Sequence, residues 1–301
     1  MSKRFFVLIA VYVAAGLGSA PAAQYYFDSN AGSDRNAGTA STAPFRSLEK
    51  LASLSLKPGD IVHFRRGGEW RGQLAFKGNG TEGKPIRVTA YGTGPKPEIL
   101  ATIRPTAWQQ HDAEVYKTRI PAERFTGDRF VYGVFDYPRT GLPVYLRGSR
   151  RSKKMSDKRG RFFFDRQAMT LYVRTHDGQP PAAHDLEVSV VTPLLSLAKR
   201  AWIEIDNIAF LFGNRAHWHL SDSHNITIRD CASLYVSHFG NAPVSIRQDS
   251  HHVRVLDCFL YENCNGGINI THGATRNTVR GCTIVKCRSN DGITCHSGGK
   301  D

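Results

Sequence analysis

Three stretches of this chain end alike. AHWHLSDSHNITIRDC closes at Cys231, PVSIRQDSHHVRVLDC at Cys258 and GGINITHGATRNTVRGC at Cys282. The cysteines are 27 and 24 residues apart, and the earlier segment WIEIDNIAF aligns by placing Ile208 23 residues before Cys231. A period near two dozen residues that varies by a few fits neither helical nor leucine-rich repeats, and helix-turn-helix and propeller-blade signatures are absent. Each period divides instead into three short runs rich in β-branched residues. The first runs are HWHL (217–220), VSIR (244–247), INIT (268–271) and ITCH (293–296). After a loop of varying length come ITIR (226–229), VRVL (253–256) or TVR (278–280), and after a tight bend ASLYV, FLYEN or TIVKC. Alternation within each run turns every second side chain inward. The repeat therefore predicts an all-β chain wound into a coil of parallel strands.

Windings of such a coil lie about 4.8 Å apart, so equivalent letters become neighbours along the axis. Ile208, Cys231, Cys258 and Cys282 share one inward column, where cysteine serves as a small hydrophobe. Disulfides are the competing reading, because all six cysteines fall within residues 231–295 and an exported chain can oxidise them. A bridge between Cys231 and Cys258, or Cys258 and Cys282, would strain the register, and the spacings match no zinc pattern. The preceding residues, Asn207, Asp230, Asp257 and Gly281, form a column of their own. Two carboxylates one coil apart suit acid–base chemistry or calcium, but short polar residues at a tight bend serve more simply as backbone hydrogen-bond partners. Asn241, Asn265 and Asn290 make a second such column, and both read as scaffolding.

The chain opens with Lys3 and Arg4, the apolar run FFVLIAVYVAAGLG and Ala20-Pro21-Ala22, the three parts of a secretory signal cleaved after Ala22. About 14 apolar residues are too few to span a bilayer. The expectation is a secreted or periplasmic protein without a membrane span, acting as a monomer. The formal charge of +14 falls to +12 when Lys3 and Arg4 leave. That excess attracts polyanions, which outside a cell are acidic polysaccharide, wall polymers and free nucleic acid, so the charge names a sign and no partner. The basic run RGSRRSKKMSDKRGR (147–161) reads as a solvated loop.

The strings NITIRDC, GGINIT and NDGIT resemble the repeats of secreted right-handed parallel β-helix proteins, the pectate-lyase-like superfamily. The segment YYFDSNAGSDRNAGTASTAPFRSLEKLASLSLKPGDIVHFRRGGEWRGQ is similar to the opening of many carbohydrate-active members, in which a short amphipathic helix plugs the end of the coil. Here Pro44 to Leu51 would be that helix and Lys57-Pro58-Gly59-Asp60 the turn into strand, with TEGKPIRVTAYGTGPKPEI continuing the first coil. The resemblance implies a signal peptide (1–22), a capping helix and first coil (23–100), an inserted antiparallel β-rich unit (101–190) and regular coils (191–301). In the inserted unit RFFFDRQAMTLYVRT reads as a hairpin turning at Asp165 to Ala168, and Trp108, Tyr132, Phe135 and Tyr137 are candidate sugar-stacking rings, though core packing is the simpler fate of aromatics. The ending ITCHSGGKD supplies one strand and half a loop, so further coils are expected beyond Asp301.

Enzymes of that superfamily hold substrate against the outward face of the first strands. With Leu220, Ile246, Ile270 and Cys295 inward, His219, Arg247, Thr271 and His296 form one outward column, and His217, Ser245, Asn269 and Thr294 the next. Such a stripe suits an anionic sugar chain whose carboxylates meet Arg247 while His219 or His296 carries protons. Asp291 is the best-placed carboxylate, with Asp249, Glu262 and His272 on adjoining loops and Lys300 near by position. The catalytic candidates are thus Arg247, His296, Asp291 and His219, and the substrate-binding candidates His217, Asn269, Thr271, His272 and Lys300. β-Elimination needs a base beside a uronate whose carboxylate is neutralised by calcium or arginine, whereas glycoside hydrolysis needs two carboxylates about the bond. The cation-rich stripe favours elimination, with calcium as the cofactor to consider, although no cluster of aspartates on neighbouring first strands matches the calcium-dependent pattern. A noncatalytic polysaccharide-binding β-helix is the alternative from another class.

Overall fold

The computed structural model describes residues 21–127, 129–138, 141–149, 155, 158–237, 242–263, 266–287 and 292–295. Three parallel sheets form the walls of one solenoid. A seven-stranded wall stacks Gln24–Phe27, Ile61–Arg65, Ile86–Tyr91, Ala201–Asp206, His224–Arg229, Arg254–Leu256 and Thr278–Arg280. A six-stranded wall stacks Glu69–Arg71, Glu98–Leu100, Ala209–Leu211, Ala232–Leu234, Phe259–Tyr261 and Thr283–Val285. The five-stranded wall holds Leu195–Ser196, Trp218–Ser221, Val244–Arg247, Ile268–Ile270 and Ile293–Cys295, and a single bridge from Leu195 to Leu74 extends it toward the first coil.

Alternation within the strands builds the core. Val88, Ile205, Ile228, Val255 and Val279 lie one above another inside the seven-stranded wall. Leu195, Trp218, Val244, Ile268 and Ile293 do the same inside the five-stranded one. Most of these side chains are fully buried, each contributing about 1.5–3 kcal/mol relative to exposure. Cys231 and Cys258 are buried and Cys282 partly so, and each thiol donates toward a carbonyl of the coil before it: Ile205 at 3.7 Å, Ile228 at 3.6 Å and Val255 at 3.5 Å. The five described cysteines are free thiols. Burial pushes the Cys231 thiol up to about 12, so it is a packing group with no thiolate at neutral pH.

The corners require a left-handed backbone. Asn207, Asp230, Asp257 and Gly281 hold φ of 63°, 47°, 53° and 66° at the bend between the seven- and six-stranded walls. Asn and Asp tolerate that region and Gly enters it freely. Their side chains also tie coils together, with Asn207 Nδ2 donating to Asp230 Oδ2 at 2.9 Å and Lys96 Nζ pairing with Asp230 Oδ1 at 2.7 Å.

The capping helix is Leu48–Ser53, starting later than Pro44. Phe45 is held in extended backbone by its bridge to Phe27, so Ser47 becomes the N-cap, its side chain accepting from the Lys50 N–H at 3.1 Å. Leu48 and Leu51 sink into the core at that end. Residues 102–189 add a separate eight-stranded sheet, mostly antiparallel, in which Arg161–Asp165 and Thr170–Arg174 form a hairpin. Asn214 pins this sheet to the solenoid by accepting from the Tyr132 N–H at 2.9 Å and donating to the Phe130 carbonyl at 2.7 Å.

Replacing Asp257, exposed and left-handed, by Val places a β-branched side chain where the backbone rejects it. The midpoint of urea denaturation should fall by an equivalent of about 1–2 kcal/mol, with Asp257→Gly close to the parent.

Candidate functional site

The outward face of the five-stranded wall is the candidate site, with its columns in a different register from that expected. Trp218 pairs with Val244, His219 with Ser245, Leu220 with Ile246 and Ser221 with Arg247. One outward column is therefore His219, Ser245, Asn269 and Thr294, and the next runs through Ser221, Arg247 and Thr271. His219 keeps its outward face but sits one strand-dyad from where it was placed, because the inward indole of Trp218 stacks with Val244 and sets the register. His217 precedes the strand and is wholly enclosed. Asp291, His296 and Lys300 lie outside the described residues, as do Asn241, Asn265, Asn290 and the leader through residue 20.

His219, Ser245 and Arg247 line a groove of about 260 Å³ whose other side is built from Gly127, Thr192, Pro193, Arg215 and Ala216. The sequence pointed to neither Arg215 nor the Thr192–Pro193 pair. Arg215 stands in the loop before the strand, its guanidinium 5.8 Å from the Tyr132 ring centroid, and Gly127 reaches the groove from the inserted segment. His219 is half-buried, and burial together with the Arg247 charge lowers its pKa from 6.5. The imidazole is therefore neutral at neutral pH, fit to accept a proton beside a fixed guanidinium. Among the described residues no carboxylate lies within ion-pair distance of Arg247. Asn269 Oδ1 is buried and has no hydrogen-bond partner among the described residues. Thr271 is nearly buried and bonds His272 Nδ1 through its hydroxyl at 2.7 Å, leaving the His272 ring exposed at a left-handed corner. Ser221 donates to Gln248 Oε1 along the same edge.

The remaining candidates fall elsewhere. Asp249 is exposed at the corner after Arg247. Glu262 lies at the end of the six-stranded wall, 3.4 Å from Lys286 Nζ. Phe135 is buried, packing on Phe212 and Tyr145, and Tyr137 meets the Phe212 ring edge-on. No group of three or more His, Cys, Asp or Glu able to hold a metal ion occurs among the described residues. The chemistry of the wall is derived below from its side chains alone.

His217 serves the fold. Its Nε2 accepts from the Gly213 N–H at 2.8 Å, which leaves Nδ1 to donate to Ser233 Oγ at 2.7 Å. Burial drives its pKa down to about 3, so the ring is a neutral strut between the loop carrying Arg215 and the six-stranded wall.

No family model matches the chain. A segment of 93 residues is 38% identical to lacto-N-biosidase of Bifidobacterium longum subsp. longum, covering 29% of this chain and 6% of that enzyme. A glycoside hydrolase of known structure superposes with a TM-score of 0.58 at 10% identity, over 88% of this chain and 74% of its own. The fold is the parallel β-helix. A second structure, XylC in complex with xylose, shares it with a TM-score of 0.53 at 13% identity, over 90% of this chain and 65% of that one. At such identities the likeness is one of architecture, and the site must be argued from the side chains of this β-helix. No described helix of it is long and apolar enough to cross a membrane.

The enclosed His217 makes stability sensitive to acid. Its ordinary pKa of 6.5 is restored on unfolding, so below about that pH the unfolded chain binds a proton that the folded chain refuses. The contribution is complete above the ordinary value and is lost as pH falls toward the folded one, at up to about 1.4 kcal/mol per pH unit. His217→Gln should be less stable at neutral pH and show a shallower fall in denaturation midpoint on acidification.

Proposed function

We propose that this chain is a secreted, carbohydrate-active β-helix that holds an anionic polysaccharide across the five-stranded wall and cleaves it by β-elimination. The observation that carries the reading is a neutral imidazole, His219, beside an arginine without a described carboxylate partner, Arg247, in an open groove. Arg247 would pair with the carboxylate of a uronate residue and stabilise the charge that develops on it. His219 would take the proton from the carbon bearing that carboxylate. The enolate-like intermediate then collapses, forming the carbon–carbon double bond and breaking the bond to the glycosidic oxygen, which is protonated from water. The products are one chain ending in an unsaturated uronate and one with a free hydroxyl. Arg215, Asn269 and Thr271 supply polar contacts to neighbouring sugars.

The 38% identity over 93 residues to a lacto-N-biosidase favours a second reading, glycoside hydrolysis on the same wall, which requires two carboxylates. Among the described residues the groove lining holds none.

Incubation of the parent with pectate, alginate and glycosaminoglycans should raise the ultraviolet absorbance of unsaturated uronate on at least one of them. His219→Asn should lower that rate about 10²–10⁴-fold with binding retained, and Arg247→Gln should weaken both binding and rate. Reducing sugar released from a neutral glycan, with no absorbance change on any polyanion, would transfer the assignment to hydrolysis; binding without either product would leave a noncatalytic module.

A further inference from the structure

A second groove, of about 430 Å³, lies on the outer face of the seven-stranded wall and shares no residue with the His219–Arg247 site. Its floor is the outward column Glu204, Thr227, Arg254 and Thr278, fixed by the strand register. Its rim is the corner column Trp202, Asn225, His252 and Arg276, each left-handed with φ between 53° and 57°.

The charges in it are arranged for an anion. Glu204 is met by Arg87 Nε at 3.1 Å, so its negative charge is answered within the wall. Arg254 is braced through Nε and Nη2, which donate to Thr227 Oγ1 at 3.2 and 2.9 Å, while Nη1 takes no part in that brace. Among the described residues no carboxylate reaches Arg254 or Arg276, both exposed. A braced guanidinium loses little freedom when it captures a carboxylate.

Trp202 supplies the other half of the argument. A bulky indole in the left-handed region is a backbone outlier, and the other coils fill this corner with Asn, His or Arg. Its ring is partly exposed and lines the groove. The groove sets that flat apolar face at one end and the two unanswered cations two and three coils away toward the other, an order that matches successive pyranoses of a chain carrying carboxylate or sulfate. It matches single-stranded nucleic acid less well, because base stacking uses rings at successive steps and Asn225 separates Trp202 from His252.

We propose that this face is a second, noncatalytic subsite for an anionic glycan, which would hold a remote stretch of polymer or anchor the protein to it. The proposal takes its ligand class from the carbohydrate reading above, but neither site's test depends on the other's residues.

The test uses the full chain, an oligogalacturonate as probe, and calorimetry with tryptophan fluorescence as readouts. The parent should bind the probe with a change in Trp202 emission, and Arg247→Gln should keep that change. Arg254→Gln combined with Arg276→Gln should weaken this binding by about tenfold or more and abolish the emission change, with the β-sheet circular dichroism of the parent retained. Unchanged affinity and emission in the double variant would overturn the proposal. So would loss of the emission change in Arg247→Gln, or equal affinity for an oligodeoxynucleotide of the same charge. Absence of elimination activity, by contrast, would sink only the reading of the first groove.

Discussion

Parallel stacking is the constraint on which every other feature depends. Each strand of a coil gives its backbone hydrogen bonds to the coil before and after, so the side chain at any wall position is held about 4.8 Å from its equivalents. The period of two then forces a choice at each residue between core and outer face, and a slip by one would turn Ile205 and Ile228 outward and Glu204 and Thr227 into the core. The apolar ladders inside all three walls enforce that choice jointly. The left-handed corners let the chain turn without breaking the stack, and the short polar residues at Asn207, Asp230 and Asp257 meet that demand at little steric cost.

The same geometry turns a sequence repeat into two distinct surfaces. On the five-stranded wall an imidazole and a guanidinium from adjacent coils are fixed on one side of a groove, and burial, with the Arg247 charge added to it, keeps His219 neutral. On the seven-stranded wall two arginines and an indole line another groove. His219, Arg247, Trp202 and Arg254 project from strands that are paired with a coil on each side. That rigidity suits recognition of a repeating polymer, where preorganised contacts at a regular spacing limit the entropy lost on binding.

Much of this was legible in the letters, for definite reasons. β-Branched alternation marks strands strongly, so VSIR at 244–247 and TVR at 278–280 match the observed elements residue for residue. The Asn/Asp/Gly corner column was visible because few residues accept a left-handed backbone. The outward placement of His219 and Arg247 followed from parity. Their exact neighbours did not, because parity is blind to a shift of two, and only the packing of Trp218 over Val244 decides between the alternatives. His217 shows the other limit: a histidine of the right parity just outside the strand is enclosed by hydrogen bonds to Gly213 in its own loop and to Ser233 on another wall, which parity does not report.

The sequence by itself determined the coil, its three walls and the face each strand residue takes, because these depend on local alternation and on residues that tolerate the corners. Tertiary structure alone decided which outward residues become neighbours and which are covered. Gly127 and Thr192 join His219 from tens of residues away, and the groove exists only where the inserted segment, pinned by Asn214, meets the stack. No local pattern encodes that meeting, since it depends on the shape of two surfaces that the chain brings together only after both have formed.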